Sequence, residues 1–241
     1  MPGSPLVRRL STLAKLDAED RSRIETLCQD VLKVSRRKDI TKEGDRPEYV
    51  HVMLSGWGAR YKTLRDGSRQ IVDFVLPGDF CDLHVALLSE MDHGIVALTP
   101  CRVARINQAQ IAALTSENSR IVRAMWWSTL VDQAVLREWV LNVGRRNAFE
   151  RVGHLLCELH CRMMRLGLVD HDRLSLPLTQ EELADATGLS AVHVNRTLQR
   201  LRGEGLIELS GGELALLDVA KLQEAVGFDP SYLHIKRRLP A

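Results

Sequence analysis

The sequence has no apolar run approaching the roughly 18 residues that span a bilayer. Its opening stretch, MPGSPLVRRLSTLAKL, also lacks the apolar core of a secretory signal. Both absences point to a cytoplasmic protein. Cysteine is sparse and odd in number, and Cys28, Cys81, Cys101, Cys157 and Cys161 are widely scattered. That argues against a disulfide framework and fits a reducing compartment. An excess of one charge is missing too: 33 Lys and Arg face 31 Asp and Glu, a formal net charge of +2. If the chain binds a nucleic acid, its positive charge must be gathered on one face. There is no phosphate-binding glycine loop, no G-x-S-x-G and no H-E-x-x-H, so no enzymatic activity is expected. What remains is a chain of 241 residues, 45% hydrophobic and 27% charged. That is the mix of a folded protein, long enough for two domains.

From Glu48 to Ile106 the chain reads as short strands: Tyr49 to Leu54, Ala59 to Leu64, Arg69 to Leu76, Ile95 to Leu98 and Arg102 to Ile106. Ser55-Gly56, Asp66-Gly67, Pro77-Gly78 and Thr99-Pro100 punctuate them. Asp66-Gly67 is a hairpin signal, because Gly accepts the positive φ that a tight turn between twisted strands requires. An antiparallel roll or barrel is predicted. A helix over Asp17 to Leu32 is expected before it, with Ile24, Leu27, Val31 and Leu32 at helical spacing. From Asn118 to Val143 no proline or glycine interrupts a helical pattern. Its apolar residues fall on two sides, Ile121, Ala124, Val131 and Val135 on one and Val122, Trp126, Leu136 and Val140 on another. A helix apolar on two sides needs two neighbours. One is expected to be the β domain and the other a symmetry mate, with Ile121, Ala124, Met125, Ser128, Val131 and Val135 assigned to the dimer seam; burial inside a monomer is the alternative. Gly144 to Asn147 is the expected hinge.

A further helix is predicted from Ala148 to Leu166, and then comes LPLTQEELADATGLSAVHVNRTLQRLRGEGLIEL, from Leu176 to Leu209. Thr179 and Glu182 form a T-x-x-E capping box, so a helix starts there. Gly188 permits a tight turn and Ser190 caps a second helix over about 190–202. Ile207 to Leu209 and Leu214 to Leu217, joined by Ser210-Gly211-Gly212-Glu213, read as a hairpin. Together these are a winged helix-turn-helix. At 100° per residue, Val194, Leu198 and Leu201 share the core face of the second helix, and Val192, Asn195, Arg196 and Gln199 lie opposite. Arg can bridge guanine O6 and N7, Asn or Gln can bridge adenine N6 and N7, and Val can touch only a thymine methyl. Those four are the candidate base-contacting residues. Thr179, Gln180, Ser190, His193 and Arg200, at helix starts and flanks, are the candidate phosphate contacts.

These features resemble the Crp/Fnr family of bacterial transcription regulators. GWGARYKTLRDGSRQIVDFVLPGDF (Gly56 to Phe80) resembles its β-roll, ALTPCRVARI (Ala97 to Ile106) its closing strand, and RRNAFERVGHLLCEL (Arg145 to Leu159) the start of its DNA-binding domain. The resemblance implies an α+β chain in three parts: an N-terminal antiparallel β-roll (a jelly-roll sensor) over 1–116, a long dimerisation helix and hinge over 117–144, and a C-terminal winged helix-turn-helix with its tail over 145–241. It also implies a homodimer on double-stranded DNA with a palindromic site, and RNA polymerase as a partner. The family's recognition helix commonly carries Glu four residues before its Arg; Arg196 keeps the Arg and Val192 stands at the Glu position. Operator preference is expected to differ there.

The sensor departs from the family as well. Cyclic-AMP binders hold the nucleotide with a Glu and an Arg-Ser pair, near which this chain has Leu83 and Met91-Asp92. From Ile71 to Cys101 there is no Lys or Arg, while Asp73, Asp79, Asp82, Glu90 and Asp92 fall in that run. A buried phosphate without a cationic cradle is costly, so cyclic AMP is not the expected effector. An iron–sulfur cluster is not expected, since Cys28 is the only cysteine ahead of the roll. His154, Cys157 and Cys161 share a helix face and raise a metal or thiol sensor as an alternative, with packing as the plainer use. Cys81 and His84 are weaker candidates of the same kind. Trp126, Trp127 and Trp139 are expected in the core. Asp218 to Gly227 reads as a short helix, and Lys236-Arg237-Arg238 as a basic end that either is solvated or touches phosphates. A protein that binds DNA or a partner without any small-molecule switch also remains an alternative. No metal site is assigned.

Overall fold

A computed structural model describes residues 3–83, 88 and 90–234. Two short helices open the chain, α1 (Pro5–Leu13) and α2 (Ala18–Leu27). Asp17 and Asp20 close a reciprocal cap at the start of α2. The helix expected to reach Leu32 stops at Leu27, because Val31–Val34 pairs as strand β1 with the closing strand of the roll. β2 (Asp39–Thr41), β3 (Tyr49–Ser55), β4 (Gly58–Thr63), β5 (Arg69–Val75), β6 (Gly94–Ala97) and β7 (Cys101–Asn107) follow. They form two antiparallel sheets, in the orders β1-β7-β3 and β2-β6-β4-β5. Phe74, Ile71, Met53, Ile95 and Ile106 fill the space between them, fully buried. Gly67, at φ +85°, closes the β4–β5 hairpin as its Asp-Gly signal predicts.

α3 (Gln108–Glu117) leads into α4 (Ser119–Arg145), whose first turn is capped by Asn118. The break is shorter than the stretch expected as a hinge: Gly144 and Arg145 still belong to α4, Arg146 and Asn147 are extended, and Asn147 caps α5 (Ala148–Arg165) with Glu150. Ile121, Ala124, Met125, Ser128, Val131 and Val135 are at most 5% exposed within the single protomer. They are therefore not a dimer seam. The physical reason is α1, which the sequence reading did not include: it packs along α4 together with β5, and Arg9 of α1 donates to the Ser128 hydroxyl at 3.3 Å. The other side of α4 is the open one, with Trp126 67% and Val140 68% exposed and Leu130, Leu136 and Leu141 also out in solvent. Trp139 is in the core as expected and Trp126 is not.

The C-terminal part continues with β8 (Arg173–Ser175), α6 (Gln180–Thr187), α7 (Ala191–Gly203), β9 (Ile207–Ser210), β10 (Glu213–Leu216), α8 (Val219–Ala225) and a 3-10 turn at Pro230–Leu233. β8 adds a third strand to the predicted wing, in the order β8-β10-β9. Every residue of α5 from Val152 to Met163 is buried, because α4, α6, α7 and α8 pack around it and its Arg162 reaches into the roll at Asp73 and Phe74.

Candidate nucleic-acid interface

The interface is assembled by two caps and a turn. The Thr179 hydroxyl accepts from the Glu182 N–H at 3.1 Å, and the Glu182 carboxylate accepts from the Thr179 N–H at 2.7 Å. That reciprocal pair starts α6 where the sequence places it. Gly188 ends α6 in the left-handed region at φ +63°, and the Ser190 hydroxyl accepts from the His193 N–H at 3.3 Å to start α7. Val194, Leu198 and Leu201 anchor α7, none more than 2% exposed. The opposite face then stands in water: Val192 is 68% exposed, and Asn195, Arg196 and Gln199 are exposed too. Among the described residues no side chain hydrogen-bonds or ion-pairs with these four. Three hydrogen-bonding side chains and one apolar one thus face outward on a rigid helix, with their donors and acceptors unused.

The flanking candidates divide. Gln180 and His193 are exposed on first turns of helices. The side chains of Thr179 and Ser190 are occupied as caps, so what they present outward is the start of a helix, where backbone N–H groups favour an anion. Arg200 pairs with Glu204 at 2.7 Å and lies over the Phe149 ring at 4.3 Å. Part of its binding capacity is already spent inside the domain.

The structure adds residues that sequence reasoning missed. Arg69 on the β4–β5 hairpin pairs with Asp185 of α6 at 2.8 Å, and Arg151 donates to the Thr187 carbonyl at 2.8 Å. Arg69 thus ties the helix-turn-helix to the roll, and Arg151 ties it to α5. Deeper in, Arg162 of α5 donates to Asp73 at 2.9 Å, Asp79 at 3.0 Å and the Phe74 carbonyl at 2.7 Å. Arg9 reaches Asp79 at 2.7 Å and Asp132 at 2.8 Å, and Arg60 pairs with Asp73. Burial opposes ionisation at Asp79, yet Arg9 and Arg162 hold its carboxyl below the usual range. Burial pushes Asp132 and Glu158 up, beyond what their arginine neighbours offset. The sequence signal for this cluster was an Asp inside the apolar strand run IVDFV and an Arg inside an otherwise buried helix.

These contacts also bear on a cyclic nucleotide. Asp73, Asp79 and Asp82 line the roll as buried carboxylates, and of the cations beside them Arg60 is consumed by Asp73 and the Phe80 and Cys81 carbonyls, while Arg9 and Arg162 are taken up by Asp73, Asp79 and Asp132. These residues do not fit a nucleotide phosphate, which needs unspent donors. His84 lies outside the described residues, as does the basic end Lys236-Arg237-Arg238. On α5 the thiols of Cys157 and Cys161 are pushed up by burial, Cys161 to about 11, so both stay protonated and unreactive near neutrality. His154 packs edge-on to Phe228 at 4.9 Å and parallel to Tyr232 at 6.0 Å. Burial, helped by the nearby Arg146, lowers its pKa to about 3.

Comparison with known proteins gives a consistent picture. Residues 150–225 match the Crp-like helix-turn-helix domain, and residues 31–118 match the cyclic nucleotide-binding domain. The chain is 29% identical to the nitrogen fixation regulation protein FixK of Bradyrhizobium diazoefficiens, over 90% of each chain. It is 26% identical to the transcriptional activator protein FnrL of Cereibacter sphaeroides, over 92% of this chain and 90% of that one. Among solved structures, that of FixK2 from Bradyrhizobium japonicum superposes with a TM-score of 0.73 at 26% identity, covering 80% of this chain and 95% of the other.

Proposed function

This chain belongs to the Crp/Fnr family of bacterial transcription regulators, and on that basis we propose that it is a dimeric, sequence-specific DNA-binding regulator that places α7 in the major groove. The observation that carries this reading is the outer face of α7, where Val192, Asn195, Arg196 and Gln199 are exposed and unengaged on a helix whose other face is locked into the core. Arg196 reads guanine, Asn195 and Gln199 suit adenine, and Val192 accepts a thymine methyl in place of the cytosine that a Glu would select. Gln180, His193 and the helix starts at Thr179 and Ser190 position the domain on phosphates. Arg200 serves the same end while braced by Glu204 and Phe149.

Two copies joined along the open face of α4, through Trp126, Leu130, Val140 and Leu141, would present two such helices to a palindrome with half-sites about one helical turn apart. RNA polymerase is the further partner that family membership suggests. Selecting bound sequences from random duplex DNA tests the proposal. A symmetric site with guanine facing Arg196 is the expected result. Selection of no sequence at low salt, or of a half-site that still demands cytosine through contact with Val192, runs against it.

A second reading, of a regulator with no small-molecule switch, is favoured by one observation, the saturation of Arg60 inside the roll. A thermal-shift screen with nucleotides, metabolites, haem and metals separates the two. A bound effector raises the melting temperature by mass action, and no response across the set supports the switch-free reading.

A further inference from the structure

Where α1, α4 and α5 meet the C-terminal 3-10 turn they leave a narrow cleft, and its charged lining is Arg9, Arg162, Arg165 and Asp132. Three guanidiniums thus face one carboxylate. Asp132 accepts from Arg9 at 2.8 Å, and Asp79, next to both helices, is shared by Arg9 at 2.7 Å and Arg162 at 3.0 Å. Both carboxylates are spent on those two arginines, and Arg165 is left over. It donates to the Thr12 hydroxyl at 2.8 Å and to the Leu233 carbonyl at 3.2 Å, both neutral. Among the described residues no carboxylate lies within ion-pair distance of it. An unpaired arginine in open water is ordinary, because water solvates it. Arg165 is instead half-buried with two other arginines beside it. Burial, with Arg9 and Arg162 adding repulsion that Asp79 only partly offsets, pulls its pKa down to about 10.

One negative charge would balance Arg165, and the space beside it limits the form that charge can take. The cleft holds about 20 Å³, enough for one water-sized particle and too little for a nucleotide or a phosphate. A guanidinium has more N–H donors than the two bonds of Arg165 use, so donors remain to receive a guest. Val131, Val135 and Leu166 supply apolar walls, which weaken screening and strengthen the attraction between opposite charges. We propose that this cleft binds a small monovalent anion of the size of chloride, held by Arg165 at the junction of α1, α4 and α5. The anion would tie α1 to α5 beside the Arg162 cluster, and would be a ligand of this chain outside the β-roll. The site does not depend on the DNA-binding reading.

The test titrates the full chain, free of DNA, with chloride at fixed ionic strength, gluconate being the anion replaced. In wild type the chloride NMR line should broaden saturably in proportion to protein, and bromide should reverse the broadening. The melting temperature should rise by a few degrees once chloride exceeds its dissociation constant about tenfold. In Arg165→Gln most of the broadening and the chloride-dependent rise should vanish. In gluconate alone this variant should melt close to wild type, because relief of the repulsion on Arg9 and Arg162 offsets the loss of two neutral hydrogen bonds; that comparison separates loss of the anion from loss of the fold. Arg165→Lys, which keeps the charge and loses the fork, should retain a weaker response. Wild type whose line and melting temperature ignore chloride overturns the proposal. A chloride response that Arg165→Gln leaves intact also overturns it, even if that variant is less stable in both salts, since the anion would then sit elsewhere and Arg165 would serve packing alone.

Discussion

At the scale of single residues, the α7 face is governed by which atoms are left unused. Arg196 has no internal partner among the described residues, so replacing it with Ala should leave folding intact. It should cost about 1–3 kcal/mol of binding to the preferred base and flatten selectivity at that position, as measured by competition among single-base variants of the site. Val192→Glu should restore a preference for cytosine at the neighbouring base pair. His154 makes a prediction of a different kind. Its folded pKa of about 3 lies below the ordinary value of 6.5, so the unfolded chain takes up the proton first as pH falls. Its contribution to stability is complete above about pH 6.5 and is lost progressively toward pH 3. At pH 5 the loss should be at most about 2 kcal/mol, because the Glu138 carboxylate 3.2 Å from the ring Nε2 favours the protonated form. Urea titrations of wild type and His154→Phe at pH 7 and pH 5 should show the variant losing less stability between the two. Equal losses would mean that His154 is not the titrating group.

At the scale of elements, much was legible from local chemistry. Asp66-Gly67 between two β-rich runs, the Thr179 and Glu182 box, Gly188 and the Ser190 cap each fix a boundary through the backbone groups they satisfy, and the elements lie where those signals put them. β1 and β8 carried no such signal, since Val31 and Leu32 suit a helix as well as a strand until β7 offers a ladder. The long helix shows the same limit. Both of its apolar stripes were visible in the sequence, but which one is open depends on where α1 lies, and helical spacing holds no information about that. The exposed stripe yields a test. Trp126→Glu combined with Val140→Glu should leave the protomer folded, because both side chains are already in solvent. It should shift the protein from dimer to monomer in sedimentation and abolish tight binding to a palindrome. A double variant that remains dimeric would move the seam elsewhere.

At the scale of the whole molecule, the β-roll and the winged end are joined through a buried ion cluster centred on Arg162. Its partners Asp73 and Asp79 belong to β5 and the turn after it, and Arg9 brings in α1. Removing one member of such a set leaves opposite charges stranded away from water. Arg162→Met should therefore cost on the order of 3 kcal/mol, the low end for a broken buried pair because Arg9 and Arg60 still serve Asp79 and Asp73, and the third carboxylate, Glu158, keeps its hydrogen bonds from Trp139 and Tyr232. Guanidinium titration is expected to show a single transition for wild type and, in the variant, an earlier one as the winged end parts from the roll. A variant as stable as wild type would show that the cluster contributes no coupling.

The amino-acid sequence by itself determined the strands of the hairpins, the caps, the turn of the helix-turn-helix and the outward face of α7, because each depends on groups only a few positions apart along the chain. Only the tertiary structure decided which side of α4 is free, that Arg162 spans the two domains, and that Arg36 lies next to the start of α6. Those outcomes depend on residues far apart in sequence being packed together, and the chain acquires that proximity only on folding.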